Sequence, residues 1–363
     1  MPSVAFRRGE DAVGTARRPF PTSLRNDTMN APKVSAVIPS WNRKDDLREC
    51  LDALLAQDCP SLEIVVVDNG STDGTLEMLA ERYQSVRVLK NSSNLGAATA
   101  KNQGIVASTG EYVWFLDSDA KVLSSSCLSV MVDILEKHPD IGSVGGEVFR
   151  QPDGAERIMR KTVCVNAETK TVIVDDPKPE LLECDYLATC NCIVRKKDLV
   201  EIGGFDPDYF ILSEDKEVGW RLKMRGLKSV IDHRTCALHG VSPRQRKGDL
   251  YRKHKNNIRF VLINFPLWKA PLLPLFDAAH LFETRKLKDI RNKQTSVMKH
   301  LDGSVKDLVA GDAPFVLKAV AVAVFYVSAL IAAYAWNFWH LPKTLATRFH
   351  RPDFLERFRA QYR

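Results

Sequence analysis

Short apolar runs alternate with helix-period segments through the first third of the chain. Val34 to Pro39 reads as a strand stopped by proline, and Asp45 to Gln57 sets Leu47, Leu51, Leu54 and Leu55 on one helical face. The pattern then repeats. Glu63–Val67 is a strand and Thr75 to about Tyr83 a helix; Val86–Lys90 is a strand and Ala97–Ala107 a helix of small residues. Tyr112–Leu116 is a fourth strand, apolar throughout, as expected where both faces of a strand are covered. Strand–helix alternation of this kind predicts an α/β fold with a doubly wound, mostly parallel sheet. Further on, Leu128–His138 reads as a helix, Gly142–Phe149 as a strand and Val163–Val174 as more β structure. Asp185–Val194 should return the chain to the sheet edge, and Ser229–Leu238 is another strand.

The polar clusters fall after the strands, on one edge of the predicted sheet. They are Ser40-Trp41-Asn42-Arg43, Asp68 to Thr75, Asn94-Leu95-Gly96 and Asp117-Ser118-Asp119. Each alone reads as an ordinary turn or helix start. Open α/β sheets bind ligands beyond the carboxyl ends of their strands. Asp117 and Asp119 can face one site, where they repel unless a positive charge lies between them. Mg²⁺ or Mn²⁺ fits that position, with water and substrate phosphates completing its shell. The wall of donors and carboxylates suits a phosphate-bearing nucleotide: Asp68 can accept a pyrimidine imide N–H, while Arg43 and Lys101 neutralise a diphosphate.

Five segments, matching in order and spacing, carry a resemblance: Pro39-Ser40-Trp41-Asn42-Arg43, Val66 to Thr75, Asn94-Leu95-Gly96, Ala100-Lys101-Asn102-Gln103-Gly104 and Phe115 to Asp119. From about Val34 to His254 the chain resembles the family 2 inverting glycosyltransferases, and its layout is similar to bacterial rhamnosyl- and galactofuranosyltransferases. The resemblance implies a GT-A fold, a UDP- or dTDP-linked sugar donor, a divalent metal, and a lipid-linked or cell-envelope glycan acceptor. It puts Pro39, Asn42, Arg43, Asp68, Asn94, Lys101 and Asp117 on the donor side. It makes Asp119 a metal ligand, with Asp117 beside the ribose and metal. Lys101 stands where the family often has arginine, so charge is kept and the forked geometry lost. Leu212-Ser213-Glu214-Asp215 reads by itself as a capped helix start, with Ser213 the cap and the acids favoured by the dipole. The resemblance makes Glu214 and Asp215 the catalytic pair, with Asp215 the base and Glu214 an acceptor or structural contact, and places Gly204, Trp220 and Arg221 toward the acceptor. It also makes His239, at the end of the Ser229–Leu238 strand, a further metal ligand; His233 is the alternative. An inverting transfer needs one base to deprotonate the acceptor hydroxyl.

Composition narrows the remainder. The 363 residues suit one large or two modest domains, and the net charge of +7 is carried mainly toward the last third. That balance suits an anionic surface or phosphate-bearing substrate and not duplex nucleic acid. The eight cysteines form no paired Cys-x-x-Cys pattern, which excludes a structural zinc. Cys190-Asn191-Cys192 reads as a strand with cysteine on one face. No signal peptide is visible, consistent with a reducing cytoplasmic setting. Residues 1–32 read as a disordered segment, with Met29 as an alternative start; residues 33–255 read as the catalytic domain and 256–363 as a helical, membrane-associating region. The basic run Arg244, Arg246, Lys247, Arg252, Lys253, His254 and Lys255 precedes Ile258–Phe282, which is apolar but broken by prolines. Together they suit the cytoplasmic face of a membrane. Ala319–Trp339 is uncharged and long enough to span. The basic tail after it (Lys343, Arg348, Arg351, Arg357, Arg359) conflicts with the positive-inside tendency, so a span is not assigned. A dehydrogenase is disfavoured because no Gly-x-Gly-x-x-Gly follows the first strand, and a nucleotidyltransferase because a phosphate loop is missing. A non-catalytic sugar-nucleotide-binding or membrane scaffold is the rival from another class, and it has no need of Asp117, Asp119 and Asp215 together.

Overall fold

Parallel strands need long crossovers, and the helices between the apolar runs supply them. The computed structural model describes residues 34–59, 61–149, 161–165, 168–172, 181–240, 248–272, 303–311 and 314–361. The expected N-terminal segment, Pro274 and the basic residues at 244–247 lie outside them. β1 (Val34–Ser40), β2 (Leu62–Asp68), β3 (Arg87–Lys90) and β4 (Tyr112–Leu116) run parallel in the order β3-β2-β1-β4. The crossovers are α1 (Lys44–Leu55), α2 (Thr75–Arg82) and α3 (Ala97–Ala107).

Successive side chains of a strand point to opposite faces, and two cores form accordingly. Ala36 and Ile38 of β1 and Trp114 and Leu116 of β4 join Leu47, Leu51 and Leu54 of α1 on one face. Val37, Val113 and Phe115 meet Ala98, Ala100 and Ile105 of α3 on the other. The small residues of α3 have a structural cause. The helix is buried on nearly every side, so Lys101, Asn102 and Gln103 are all inside.

Beyond β4 the sheet is mixed. β5 (Ala120–Val122) and α4 (Cys127–Lys137) lead to β6 (Ile141–Phe149). β7 (Lys161–Val165) and β8 (Glu168–Val172) form a separate antiparallel hairpin. The expected return over Asp185–Val194 is made by a loop that enters a strand: β9 (Leu181–Cys184) pairs with β11, and β10 (Asn191–Arg195) inserts antiparallel between β4 and β6. After α5 (Lys196–Glu201) and α6 (Glu214–Met224), β11 (Lys228–His239) runs parallel to β6 and carries β5 on its far edge. Its register shifts between Asp232 and Ala237. Such a bulge re-aims the strand's end. The Thr235 carbonyl at the bulge accepts from Asn191 Nδ2 at 3.1 Å and lies against Gly146, where a Cβ would overlap it.

The C-terminal helices fold back onto this body. α7 (Asp249–Asn264) crosses the expected boundary at residue 255, so the two expected regions share a helix. α8 (Gly303–Ala310), α9 (Phe315–Trp339), α10 (Leu341–Phe349) and α11 (Glu356–Arg359) follow. Asn337 of α9 donates to the Lys255 carbonyl at 3.0 Å. Arg348 of α10 donates to the carbonyls of Leu262, Ile263 and Phe265 at 2.7–3.2 Å, satisfying the orphan acceptors at the end of α7. The Phe354 amide donates to the Gly203 carbonyl at 2.9 Å, and Leu355 enters the core beneath α3.

Gly146→Ala should therefore be among the costlier single-methyl additions, at the upper end of the roughly 1–3 kcal/mol of core overpacking. A lowered urea midpoint checks this; an unchanged midpoint would mean that the bulge yields freely.

Candidate active site

The register β1–β2 sets Ser40 beside Asp68, at the edge where the polar loops begin. Asp68 is fully buried. Its Oδ2 accepts from the Gly70 and Ser71 amides at 3.1 and 3.0 Å, while Oδ1 and the Ser40 hydroxyl have no hydrogen-bond partner among the described residues. Buried polar atoms are seldom left so, and an acceptor of this kind suits a ligand N–H. Asn42, with φ of 52°, ties the same loop: its Oδ1 accepts from the Thr72 amide at 2.7 Å, and its amide donates to Ser71 Oγ at 2.9 Å. Asn94 is likewise engaged locally, accepting from the Gly96 amide at 2.9 Å. Gly96 needs its φ of +87°, and it faces the Phe210 ring too closely for a side chain. Pro39 pairs with Val67 just inside this edge.

Asp117 and Asp119 leave the end of β4, and His239 ends β11. They meet because β11 pairs with β5: His239 lies opposite Ala120, and the Gly240 amide donates to the Asp119 carbonyl at 2.9 Å. His239 Nε2 is 3.2 Å from Asp117 Oδ2 and 3.2 Å from Asp119 Oδ1. One oxygen from each carboxylate and one imidazole nitrogen lie within 4.8 Å of one another. A hard O, O, N donor set of this kind fits Mn²⁺ or Mg²⁺. Burial pulls the His239 pKa down, but the hydrogen bonds and charge of Asp117 and Asp119 outweigh it and push it up to about 10. Arg43 adds charge from α1's end, 3.4 Å from Asp119 Oδ2. His233 lies in the bulge, exposed and away from both acids.

The second group of acids comes from α6. Burial, then the charge of Glu214, raises the Asp215 pKa to about 7, while Lys101 and the Lys216 amide oppose the rise. Glu214 is paired with Lys101 at 2.9 Å. Lys101 is 1% exposed, and its Nζ also donates to Thr189 Oγ1. Burial disfavours its charge, but Glu214, Asp117 and Asp215 prevail, and the pKa lies above the ordinary lysine value. Lys101 thus serves first as the buried counter-ion of Glu214. The Cys190 thiol lies among these groups; burial, then Asp117 and Asp215, hold its pKa well above the ordinary value, so it stays protonated. Cys190 and Cys192 are both free.

The other expected residues are elsewhere. Ser213 gives α6 no side-chain cap, because its φ of 66° turns it out of capping geometry. Arg221 lies seven residues after Glu214, about 10 Å along the helix. It is buried, paired with Glu217 at 2.6 Å and donating to the Ile202 and Gly204 carbonyls. Gly204 faces Leu355 and Asn102, and Trp220 stacks on Phe265 at 5.1 Å. Trp220 and Arg221 thus form the packed face of α6, and Gly204 lies behind it. Asn102, Asn256 and Arg259 were not anticipated. Asn102 exchanges two 2.7 Å hydrogen bonds with the Phe205 backbone. The signal for all three was polar residues at positions that the helical pattern marks as buried.

Known proteins share this arrangement of strands and loops. Residues 35–203 match the family model described as Glycosyl transferase family 2. The chain is 37% identical over 123 residues to an "Uncharacterized glycosyltransferase YibD" of Escherichia coli (strain K12), covering 33% of this chain and 36% of that protein. It therefore spans about a third of that relative's length. It is 27% identical over 242 residues to an N-acetylglucosaminyl-diphospho-decaprenol L-rhamnosyltransferase of Mycobacterium tuberculosis (strain CDC 1551 / Oshkosh), covering 58% of this chain and 78% of that protein. Among solved structures, a mannosyltransferase from Pyrobaculum calidifontis in complex with GDP-Man and Mn²⁺ superposes with a TM-score of 0.53 at 22% identity, covering 86% of this chain and 89% of that one. With the acid-tipped parallel strands in place, the chain carries a glycosyl transferase family 2 domain built on the GT-A fold.

Proposed function

We propose that the chain is a metal-dependent inverting glycosyltransferase that moves a sugar from a UDP- or dTDP-linked donor to a hydroxyl of a lipid-linked or cell-envelope glycan. The observation that carries this reading is the pairing of two acid groups across one cleft: Asp117, Asp119 and His239 on one side, and Asp215, with its pKa near 7, on the other. Asp68 Oδ1 is the acceptor for the pyrimidine imide N–H. Ionised Asp215 takes the proton of the acceptor hydroxyl as that oxygen bonds to the anomeric carbon. The bond from that carbon to the diphosphate oxygen breaks on the opposite face, and the electron pair leaves with the nucleoside diphosphate. Held by Asp117, Asp119 and His239, Mn²⁺ or Mg²⁺ would neutralise the charge of that leaving group. Glu214 and Lys101 neutralise each other beneath the base. Glu214 keeps the base's affinity for protons high, and the mycobacterial relative's name, an L-rhamnosyltransferase of N-acetylglucosaminyl-diphospho-decaprenol, supports a lipid-linked acceptor.

We further propose that it works at a membrane surface, with α9 lying flat. Val322, Tyr326, Ala333 and Asn337 of α9 face α7 and α8, while Val316, Val324, Ile331, Phe338 and Trp339 are exposed, Trp339 at 82%. The helix has the length and composition to cross a bilayer. Both its ends, however, are tied to the catalytic body. Val322 and Tyr326 pack with Leu250 of α7 toward one end; beyond the other, Arg348 closes α7 and Arg351 pairs with Glu217. Two arginines of the basic tail are thus spent inside the protein, which removes the conflict over orientation. A helix lying in the interface plane with its outer face in the lipid accounts for the exposed apolar residues.

UDP or dTDP should raise the melting temperature only with Mn²⁺, and Asp119→Ala should abolish the shift. Absence of any shift in folded wild-type protein would sink the donor site. Asp215→Asn should keep that shift while losing about 10²- to 10⁴-fold in transfer. Because the base acts as a carboxylate, wild-type activity should fall as pH drops through about 7 and level off above it. The stability sign is opposite. The folded state holds the Asp215 proton up to about pH 7 and the unfolded chain releases it near pH 4, so ionisation weakens the fold as pH rises between those values. Asp215→Asn should accordingly melt higher than wild type at pH 8; a lower melting point there would contradict the strained-base reading. For the membrane, wild-type protein should float with anionic vesicles and be released by alkaline carbonate, and Val324→Asp with Ile331→Asp should stop flotation. Retention through the carbonate wash would instead indicate a spanning helix.

A further inference from the structure

The segment that delivers the base is held in an unfavourable shape. Phe210, Leu212 and Ser213 all have left-handed backbone angles, with φ of 62°, 73° and 66°, and none is glycine. Non-glycine residues avoid this region, and a cluster persists only where the surroundings impose it. Here one side chain gathers the segment. Asn256 of α7 is 0% exposed, and the two N–H groups of its Nδ2 are shared among the carbonyls of Tyr209, Ile211 and Leu212 at 3.0, 2.9 and 2.5 Å. Its Oδ1 is buried with no hydrogen-bond partner among the described residues, so the orientation of the amide is dictated by those three acceptors. One turn on, Arg259 shares the same helix face and grips the start of the segment. It contacts Asp206 Oδ2 at 2.7 and 3.1 Å and Asp208 Oδ2 at 3.0 Å. From the other side, the Ala98 amide of α3 donates to the Phe210 carbonyl at 3.1 Å. Glu214 and Asp215 begin α6 directly after Ser213.

We infer that Asn256 is a positioning residue for the base: by holding three carbonyls of the turn before α6, it fixes the direction in which Asp215 faces the acceptor. The inference rests on the reading of Asp215 as base. Asn256 touches neither the acids of β4 nor Asp68, so its effect is confined to the base side of the cleft. An amide is required there. An oxygen in place of Nδ2 would face three carbonyl oxygens, and a shorter side chain would remove the Asn256 donor from the Ile211 and Leu212 carbonyls and leave Tyr209 only the Ile211 amide at 2.7 Å.

The test compares wild type, Asn256→Asp and Asn256→Ala. Asn256→Asp has the shape of the native side chain, which separates the hydrogen bonds from packing. Three quantities are read: metal-dependent release of nucleoside diphosphate from a UDP- or dTDP-sugar with water as acceptor, the melting shift given by UDP or dTDP with Mn²⁺, and amide exchange along the chain. Asn256→Asp and Asn256→Ala should lose about 10²-fold in release, the scale of a small misplacement of a catalytic group. The nucleotide-induced melting shift should stay at its wild-type size, and exchange should accelerate in residues 209–217 while residues 112–116 remain protected. Wild-type release by Asn256→Asp would overturn the inference. So would faster exchange throughout the sheet with loss of the nucleotide shift, since Asn256 would then merely hold the fold. Wild-type protein that neither releases nor binds a nucleotide would instead refute the reading of the cleft itself. If wild-type protein binds nucleotide but turns over too slowly with water, the exchange pattern decides: unchanged exchange at 209–217 in Asn256→Asp overturns the inference.

Discussion

Carboxylates that must share one half-buried cleft repel each other, and the rest of the structure answers to that constraint. Asp117, Asp119, Glu214 and Asp215 are brought together by elements far apart in the chain. Each pair has its own cation: His239 and Arg43 for the first, Lys101 for the second. The countercharges are graded. Lys101 is sealed inside and bound to Glu214, while His239 and Arg43 stand at the open edge, where a divalent ion would take over their role. Burial of Asp215, followed by the charge of Glu214, raises its proton affinity to about pH 7.

Holding such a group costs stability, and the structure concentrates support around it. The acid-bearing end of β4 is secured by the sheet itself, because β5 and β11 pair across the turn. The acids of α6 have no strand to hold them. They depend on a turn with left-handed residues, on Asn256 and Arg259 of α7, and on a layer behind the helix made by Arg221, Glu217 and Arg351. The C-terminal helices are thus a structural part of the catalytic unit. Through α7, α9 is joined to the turn that precedes Asp215.

This also explains the residues whose placement differed from expectation. Gly204, Trp220 and Arg221 follow the acidic pair closely in sequence and read as acceptor-side groups. On a helix, however, residues further along lie on other faces or at other depths, and these three face α7, α11 and the core. Asn42 and Asn94, read as donor-side groups, spend their side-chain oxygens on neighbouring loop amides. They shape the wall of the cleft from within.

The sequence by itself determined the parallel half of the sheet, the helices between its strands and the edge on which the chemistry lies. Apolar runs of strand length, helical periodicity and polar strand ends are local signals, and Asp68, Asp117 and Asp119 follow their strands directly. The order of the later strands was not local: β10 turning antiparallel and the bulge that aims His239 depend on pairing partners more than forty residues away. Only the tertiary structure decided that Lys101 answers Glu214, that Asn256 holds the turn before the base, and that α9 returns to the body it leaves. Each of these rests on a buried polar contact between distant segments. In such a contact it is the geometry of both partners, and not the identity of either residue, that sets the role.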